Sequence, residues 1–324
     1  MAVENPLQSI LKILGLLLVM LVAACAPEPV RGPASEPVRW MESSQLRFDM
    51  AQGRAAAPIG VQPLLAAARP GQAEPLPMPS APVLFRAFAD VAPAGVEVAL
   101  VASPVATSEA PESAPLAIVA IVELSEFEPL LSTAPEGTDG VTVLTTAGAD
   151  VVLGSPFVAE FSPLQPLGLL QIDGRVINEL QPHGYTRVLG FAEDQLGVVG
   201  RGGFHRGLFA SALQVGPGII EQGQLDISER ELQLPAFFRT FLMNCGQRVV
   251  VGASVRPVHL RTLGSALVRF ASDRSLACDE AVNLSGDREV LLGLRNGAAA
   301  VVLGNPRVKK TALIGFRARS LSAR

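Results

Sequence analysis

From Val96 to the carboxy terminus the chain is a succession of short apolar runs, rich in β-branched residues and cut by proline, glycine and serine. Val96 to Ala102 and Leu116 to Leu124 are the clearest, and runs of this length and bounding read as buried strands. Further strands are expected at 141–144, 149–153, 167–172, 186–191, 208–215, 248–256, 281–284, 289–294, 298–303 and 311–316. A turn-rich stretch around Pro135-Glu136-Gly137-Thr138-Asp139-Gly140 precedes the third of these runs. One helix stands out over 259–271, where Leu260, Leu263, Leu267 and Phe270 recur at helical spacing, with Arg261 and Arg269 on other faces. No regular strand–helix alternation appears, so the expected fold class is α+β, strand-rich mixed sheets with few helices. There is no internal repeat. With one Trp and one Tyr in the whole chain, the core must be built from small and branched aliphatic side chains.

The amino-terminal region is of another kind. An apolar stretch from Ile13 to Ala24 ends at Cys25. It is too short for a bilayer, which takes about 20 apolar residues, and suits a secretory signal with small residues before the cut. Leu21-Val22-Ala23-Ala24-Cys25 resembles a bacterial lipobox, in which the cysteine becomes the lipidated first residue. That resemblance implies a signal peptide over 1–24, a membrane anchor through lipid on Cys25, and a periplasm-facing body in the cell envelope. Ala26, where Asp often signals inner-membrane retention, points to the outer membrane. Residues 25–94 are rich in Pro and Ala and read as an extended tether, with a short amphipathic helix placed between Arg39 and Met50. The folded domain is then 95–324.

Composition removes several functions. The net charge is −4 and no basic cluster occurs, so nucleic acid is excluded as a partner. His183, His205 and His259 are scattered, and no spacing among them or the cysteines suits a metal cage; neither metal nor cofactor is expected. Arg201-Gly202-Gly203-Phe204 lacks the lysine and helix of a phosphate loop and reads as a hairpin or loop. Ser211 has no Gly-x-Ser-x-Gly context for a nucleophile. Setting Cys25 aside leaves Cys245 and Cys278, an even pair in an oxidising compartment. A disulfide between them would close a loop of about 30 residues and contribute roughly 3 kcal/mol; two buried free thiols are the alternative.

Four segments, read in order, match the pattern of one protein family. The first is Val151-Val152-Leu153-Gly154-Ser155-Pro156-Phe157 with the later Gly168 and Gly174, where members have a strand ending in Asn-Gly-Gly-Phe-Phe. The second is Ala212-Leu213-Gln214-Val215-Gly216-Pro217, similar to the family's Ala-x-Gln-x-Gly-Pro. The third is Arg239-Thr240, where members carry Arg-Thr-Ala. The fourth is Ala281-Val282-Asn283-Leu284-Ser285-Gly286-Asp287-Arg288-Glu289, against Ala-x-Asn-Leu-Asp-Gly-Gly-x-Ser.

In this order the four segments resemble the phosphodiester glycosidase family, that of the lysosomal enzyme that uncovers mannose 6-phosphate, and the resemblance implies a phosphodiester glycosidase-like domain with a cleft lined by Gly154, Arg239, Asn283 and Gly286. The departures bear on chemistry. Cleaving a glycosidic bond usually takes paired carboxylates, and a departing phosphate wants fixed donors. Leu153 stands where the family has Asn and Ser285 where it has Asp, so a hydrogen-bonding group and a charge are missing. Asp287 is the candidate catalytic stand-in, with Glu289 and Glu160 as further carboxylates. The expectation is an envelope lipoprotein that binds a glycan or sugar-phosphate without efficient catalysis. An active divergent hydrolase of envelope sugar phosphodiesters and a purely structural lipoprotein are the alternatives.

Overall fold

The computed structural model describes residues 39–41, 81–103, 115–154, 158–161, 164–192, 195–286, 289–304, 306 and 308–319. Cys25, the 1–24 leader, most of the 25–94 segment, Ser155–Phe157, Asp287 and Arg288 lie outside them.

Three sheets carry the fold. A six-stranded sheet runs, in spatial order, Arg39–Met41, Ala299–Gly304, Leu291–Asn296, Val151–Leu153, Lys310–Ala318 and Phe127–Thr138. A seven-stranded sheet runs Gln224–Leu225, Gly218–Glu221, Glu280–Gly286, Arg239–Cys245, Arg248–Ser254, Pro115–Glu123 and Val96–Ala102. A five-stranded sheet runs Gln195–Gly200, Arg187–Ala192, Ser211–Val215, Leu170–Ile172 and Arg175–Asn178. The main core lies where inner faces meet, with Leu153, Ile314 and Leu292 of the first sheet, Leu242 and Val251 of the second, and Leu189 and Leu213 of the third. The expected strand-rich α+β class is the observed one.

The seven-stranded sheet explains why its apolar runs do not alternate with polar residues. In Pro115–Glu123, Ile118, Ala120 and Val122 face the main core, while Ala117, Val119 and Ile121 face a second core under a helix. A strand covered on both faces has no solvated side to mark with polar residues. The covering helix, α3 (Leu260–Asp273), follows α1 (Ala81–Val91) and α2 (Gly140–Thr145) in the chain. It buries Leu260, Leu263, Leu267 and Phe270, the stripe visible in the sequence, together with Gly264. Its first residue is preceded by His259, which makes no side-chain cap. The orphan N–H groups of Leu260 and Arg261 donate instead to the Glu231 carboxylate, at 2.7 and 3.1 Å. Cys278, just past α3, is bonded to Cys245 with Sγ atoms 2.02 Å apart, which staples the segment after the helix to the sheet.

Three local expectations are corrected. Residues 141–144 form part of α2, not a strand: Asp139 caps it by accepting from Thr142 N at 2.8 Å, and Val143 and Leu144 bury against the six-stranded sheet. Four apolar residues are too few to tell a buried helix from a strand, and the capping aspartate decided it. Arg39–Met41 is a strand, parallel to Ala299–Val301, where a helix was placed. The stretch at 127–138, read in part as a turn, is a single strand pairing Lys310–Ala318; as the sheet's outermost strand it tolerates Pro129 and Pro135. In addition, α1 lies within the segment read as tether. It presents Leu84, Ala87, Phe88 and Val91 to the main core, so packed structure begins before residue 95. Among the described residues no helix is long and apolar enough to cross a membrane.

Candidate functional site

The strand Val151–Leu153 delivers Gly154 to the place where the six- and seven-stranded sheets touch. Gly154 N donates to Leu291 O at 2.9 Å. A Cβ there would lie 2.7 Å from Ser285 Oγ and 2.8 Å from Glu289 O, so only glycine permits the approach. Ser285 Oγ donates to Glu289 O at 3.0 Å, and Leu291 N donates to Thr240 Oγ1 at 3.1 Å. Two segments of the family resemblance, the one ending in Gly154 and the one around Ser285, thus converge with Thr240 of a third. They form a closed knot in which each hydroxyl already serves the backbone. Leu153 beside it is wholly buried in the main core.

Arg239 and Asn283 belong to the other face of the same sheet. Arg239 pairs with Gly286, and Thr240 with Ser285; the register then shifts, so that Phe241 pairs with Asn283. Leu284 is the extra residue of a β-bulge. Cross-strand partners share a face. Phe241 packs under α3, which places Asn283 on the α3 side, while Thr240 and Ser285 point to the main core. Arg239 likewise reaches towards the start of α3. Its guanidinium stands 5.1 Å over the Phe237 ring and 3.9 Å from the Glu231 carboxylate that caps the helix. The four residues expected to line one cleft are therefore divided by the thickness of a sheet. Asp287 is outside the described residues, and of Glu160 only the backbone is described.

The Gln-x-Gly-Pro segment proves architectural. Gln214 is buried and its amide is fully used: Oε1 accepts from Leu169 N and Gln181 N, and Nε2 donates to Gln181 O and Tyr185 O, all between 2.9 and 3.1 Å. Gly168 is required because a Cβ would meet the Gln214 side chain at 2.7 Å. Gly216-Pro217 is a cis bond, and Asn283 bonds both sides of it: Gly216 N donates to Asn283 O and Asn283 N to Pro217 O, each at 3.0 Å. Asn283, 1% exposed, also donates from Nδ2 to Gly216 O at 3.4 Å.

Two charge clusters flank these segments, one buried and one with a buried arginine among partly exposed carboxylates. Next to the knot, Glu289 Oε1 lies 3.3 Å from Lys310 Nζ, with side chains 5% and 2% exposed. Their partnership joins the segment leading into Leu291–Asn296 to the strand Lys310–Ala318. Tyr185 is close enough that its phenol is pushed well above the usual tyrosine range, first by burial and then by the Glu289 charge. Farther along, Arg187 of the five-stranded sheet inserts over Gly218 and meets Asp226 at 2.6 Å, Glu221 at 3.2 Å and Glu280 at 3.8 Å. Burial pushes the Glu280 carboxyl up, and the Gln222 N–H and Arg187 pull it only partly back. Sequence reasoning missed Lys310 and Arg187. Arg187 is a lone charge opening an apolar run, which is a signal, whereas Lys310 follows Lys309 and carries none; nothing in the sequence names either partner. Among the described residues no group of His, Cys, Asp and Glu could hold a metal ion.

At the opposite end of the seven-stranded sheet the surface opens. A groove of about 620 Å³ is lined by Glu97, Ile121, Glu123, Arg248, Arg274 and Leu276, with Gly95 and Val96. Arg248 Nε pairs with Glu123 at 2.9 Å and Arg274 pairs with Glu97.

No family model matches the chain, and no curated protein matches it. Solved structures do. The catalytic domain of zebrafish N-acetylglucosamine-1-phosphodiester alpha-N-acetylglucosaminidase, auto-inhibited by its pro-peptide, aligns with a TM-score of 0.52 at 13% identity, over 71% of this chain and 87% of that one. A hypothetical protein from Synechocystis aligns with a TM-score of 0.45 at 13% identity, over 69% of this chain and 62% of that one. At this identity the first likeness establishes a shared fold: the chain is built on the architecture of a phosphodiester glycosidase domain.

Proposed function

We propose that this chain is a membrane-tethered envelope lipoprotein whose carboxy-terminal domain retains a phosphodiester glycosidase-like fold and binds a glycan or sugar-phosphate without efficient catalysis. One observation carries the loss of catalysis. At the knot, Ser285 occupies the position of the family's acid and spends its hydroxyl on Glu289 O, while the adjacent carboxylate, Glu289, is buried on Lys310. A carboxylate held this way can neither approach an anomeric carbon nor exchange a proton with a leaving group. Removing one preorganised group commonly costs about 3 kcal/mol of transition-state stabilisation, and Leu153 and Ser285 together remove two. The tether and the envelope location rest on the apolar run ending at Cys25.

The test has two parts. Purified protein is incubated with a sugar-1-phosphodiester, and N-acetylglucosamine and its 1-phosphate are titrated calorimetrically. Binding without turnover is the expected result. Robust turnover abolished by Asp287→Ala would favour the divergent hydrolase, and neither binding nor turnover would favour a structural lipoprotein. For the anchor, Cys25→Ser should release the protein from the membrane pellet.

A further inference from the structure

Four side chains of the open groove stand on one face of the seven-stranded sheet. Glu97 pairs with Ile121, and Glu123 with Arg248, across adjacent strands, and cross-strand partners share a face. Glu123 lies two residues from Ile121, so all four project to the α3 side. Arg274 and Leu276 come from the segment that follows α3, and the Cys245–Cys278 bond fixes that segment beside Arg248, the cross-strand partner of Cys245. Arg274 is also held with its guanidinium 4.9 Å over the Phe270 ring. The groove, about 620 Å³, lies within the roughly 300–1,000 Å³ usual for small-molecule sites. Its two ion pairs do not use up their groups. Arg248 reaches Glu123 through Nε, at 2.9 Å, and Arg274 reaches Glu97 through Nη1. A guanidinium has five N–H donors and a carboxylate two accepting oxygens. Each pair therefore sets further donors and further acceptors side by side at the groove, next to the apolar lining of Ile121, which is buried, and Leu276, which is half-buried.

We propose that this groove is a glycan site, and that it takes a neutral sugar unit rather than a sugar phosphate. Its side chains carry two positive and two negative charges, so it has no net attraction for an anion. A sugar hydroxyl both donates and accepts, as any hydroxyl does. Neighbouring hydroxyls can accept from an arginine N–H and donate to the adjacent glutamate while both ion pairs stay formed. A phosphate would instead have to displace a carboxylate from its arginine and then lie against that carboxylate. The C–H face of the ring covers Ile121 and Leu276. The inference rests on the proposed function for the glycan as ligand class, and moves its site from the knot to the other end of the sheet.

The experiment is a methyl NMR titration of the full-length protein with glucose, galactose, mannose and N-acetylglucosamine in turn, and with N-acetylglucosamine 1-phosphate. At least one neutral sugar should shift the Ile121 and Leu276 methyl resonances saturably and leave those of Leu291, in the knot, in place. Its affinity should change little with added salt, because no charge is transferred, and the 1-phosphate should bind no tighter. Arg248→Ala and Glu97→Ala should each weaken binding about tenfold, the loss of a charge-assisted hydrogen bond, with thermal melting showing that both variants fold. Unaltered affinity in both variants would overturn the proposal. So would tighter, salt-sensitive binding of the 1-phosphate at Ile121. Sugar shifts confined to Leu291, or binding of the 1-phosphate alone, would overturn the groove site and leave the proposed function standing. No saturable binding of any of these probes would overturn both.

Discussion

The two ends of the seven-stranded sheet treat charge in opposite ways. At the Arg239–Gly286 end, Lys310 and Glu289 are almost wholly buried and the hydroxyls of Thr240 and Ser285 are consumed by the backbone. At the Cys245–Arg248 end, Arg248 and Glu123 pair at the rim of an open groove, with side chains 51% and 31% exposed. Seven residues of strand separate them, on the order of 20 Å. In water an ion pair gains little, because the solvent screens it and both side chains lose freedom. In the interior, breaking a pair strands a charge that cannot be rehydrated. Paired opposite charges thus hold the closed end together and merely decorate the open one.

The comparison breaks if Lys310→Met is mild. That substitution leaves Glu289 buried and unpaired and should cost roughly 3–5 kcal/mol in urea unfolding, whereas Arg248→Ala should cost about 1 kcal/mol or less. Similar costs for the two would mean that the closed end is not dry. Next in size is the staple at the open end. Replacing Cys245 and Cys278 together with Ser should lower stability by about 3–4 kcal/mol, for a bond spanning 33 residues. Alkylation mass spectrometry on unreduced, denatured protein should find neither thiol free, and two alkylated cysteines would remove the staple from the comparison.

Glu231→Ala sharpens the contrast at the start of α3. It removes the acceptor for two helix N–H groups and the carboxylate facing Arg239, and should cost about 1–2 kcal/mol. Glu231→Gln should recover part of that, because an amide oxygen can still accept. The smallest effect concerns Glu280. Its folded carboxyl is raised, so its contribution favours folding fully below the unfolded glutamate value and is lost as pH rises through the folded one. Glu280→Gln should therefore match the parent in acid and exceed it slightly at neutral pH. A variant that is less stable at pH 7 than at pH 4, relative to the parent, would show that the Arg187 attraction outweighs burial.

Much of the fold was legible in the amino-acid sequence. The runs at 96–102, 248–256 and 298–303 are strands within a residue or two, and the Leu260–Phe270 stripe is α3. The strand at 127–138 was not legible, since its prolines read as turn punctuation and only its edge position excuses them. At the candidate site, the glycines were readable as places of close approach and the missing acid at Ser285 as a chemical deficit. Which face each residue occupies was not, because that depends on one bulge at Leu284.

What the amino-acid sequence determined by itself is local: the period of each apolar run, the parity of Cys245 and Cys278, and the residue types available at Gly154, Ser285 and Leu153. These follow from backbone sterics and side-chain chemistry, which act over a few residues. Tertiary structure alone decided that Glu289 would be spent on Lys310, that Arg239 would turn to Glu231, and that Asn283 would brace Gly216-Pro217. Each of those outcomes joins groups that lie 8 to 67 residues apart in the chain. Such pairings are settled by strand register and by the cost of burying an unpaired polar group, and neither is written in the neighbouring residues.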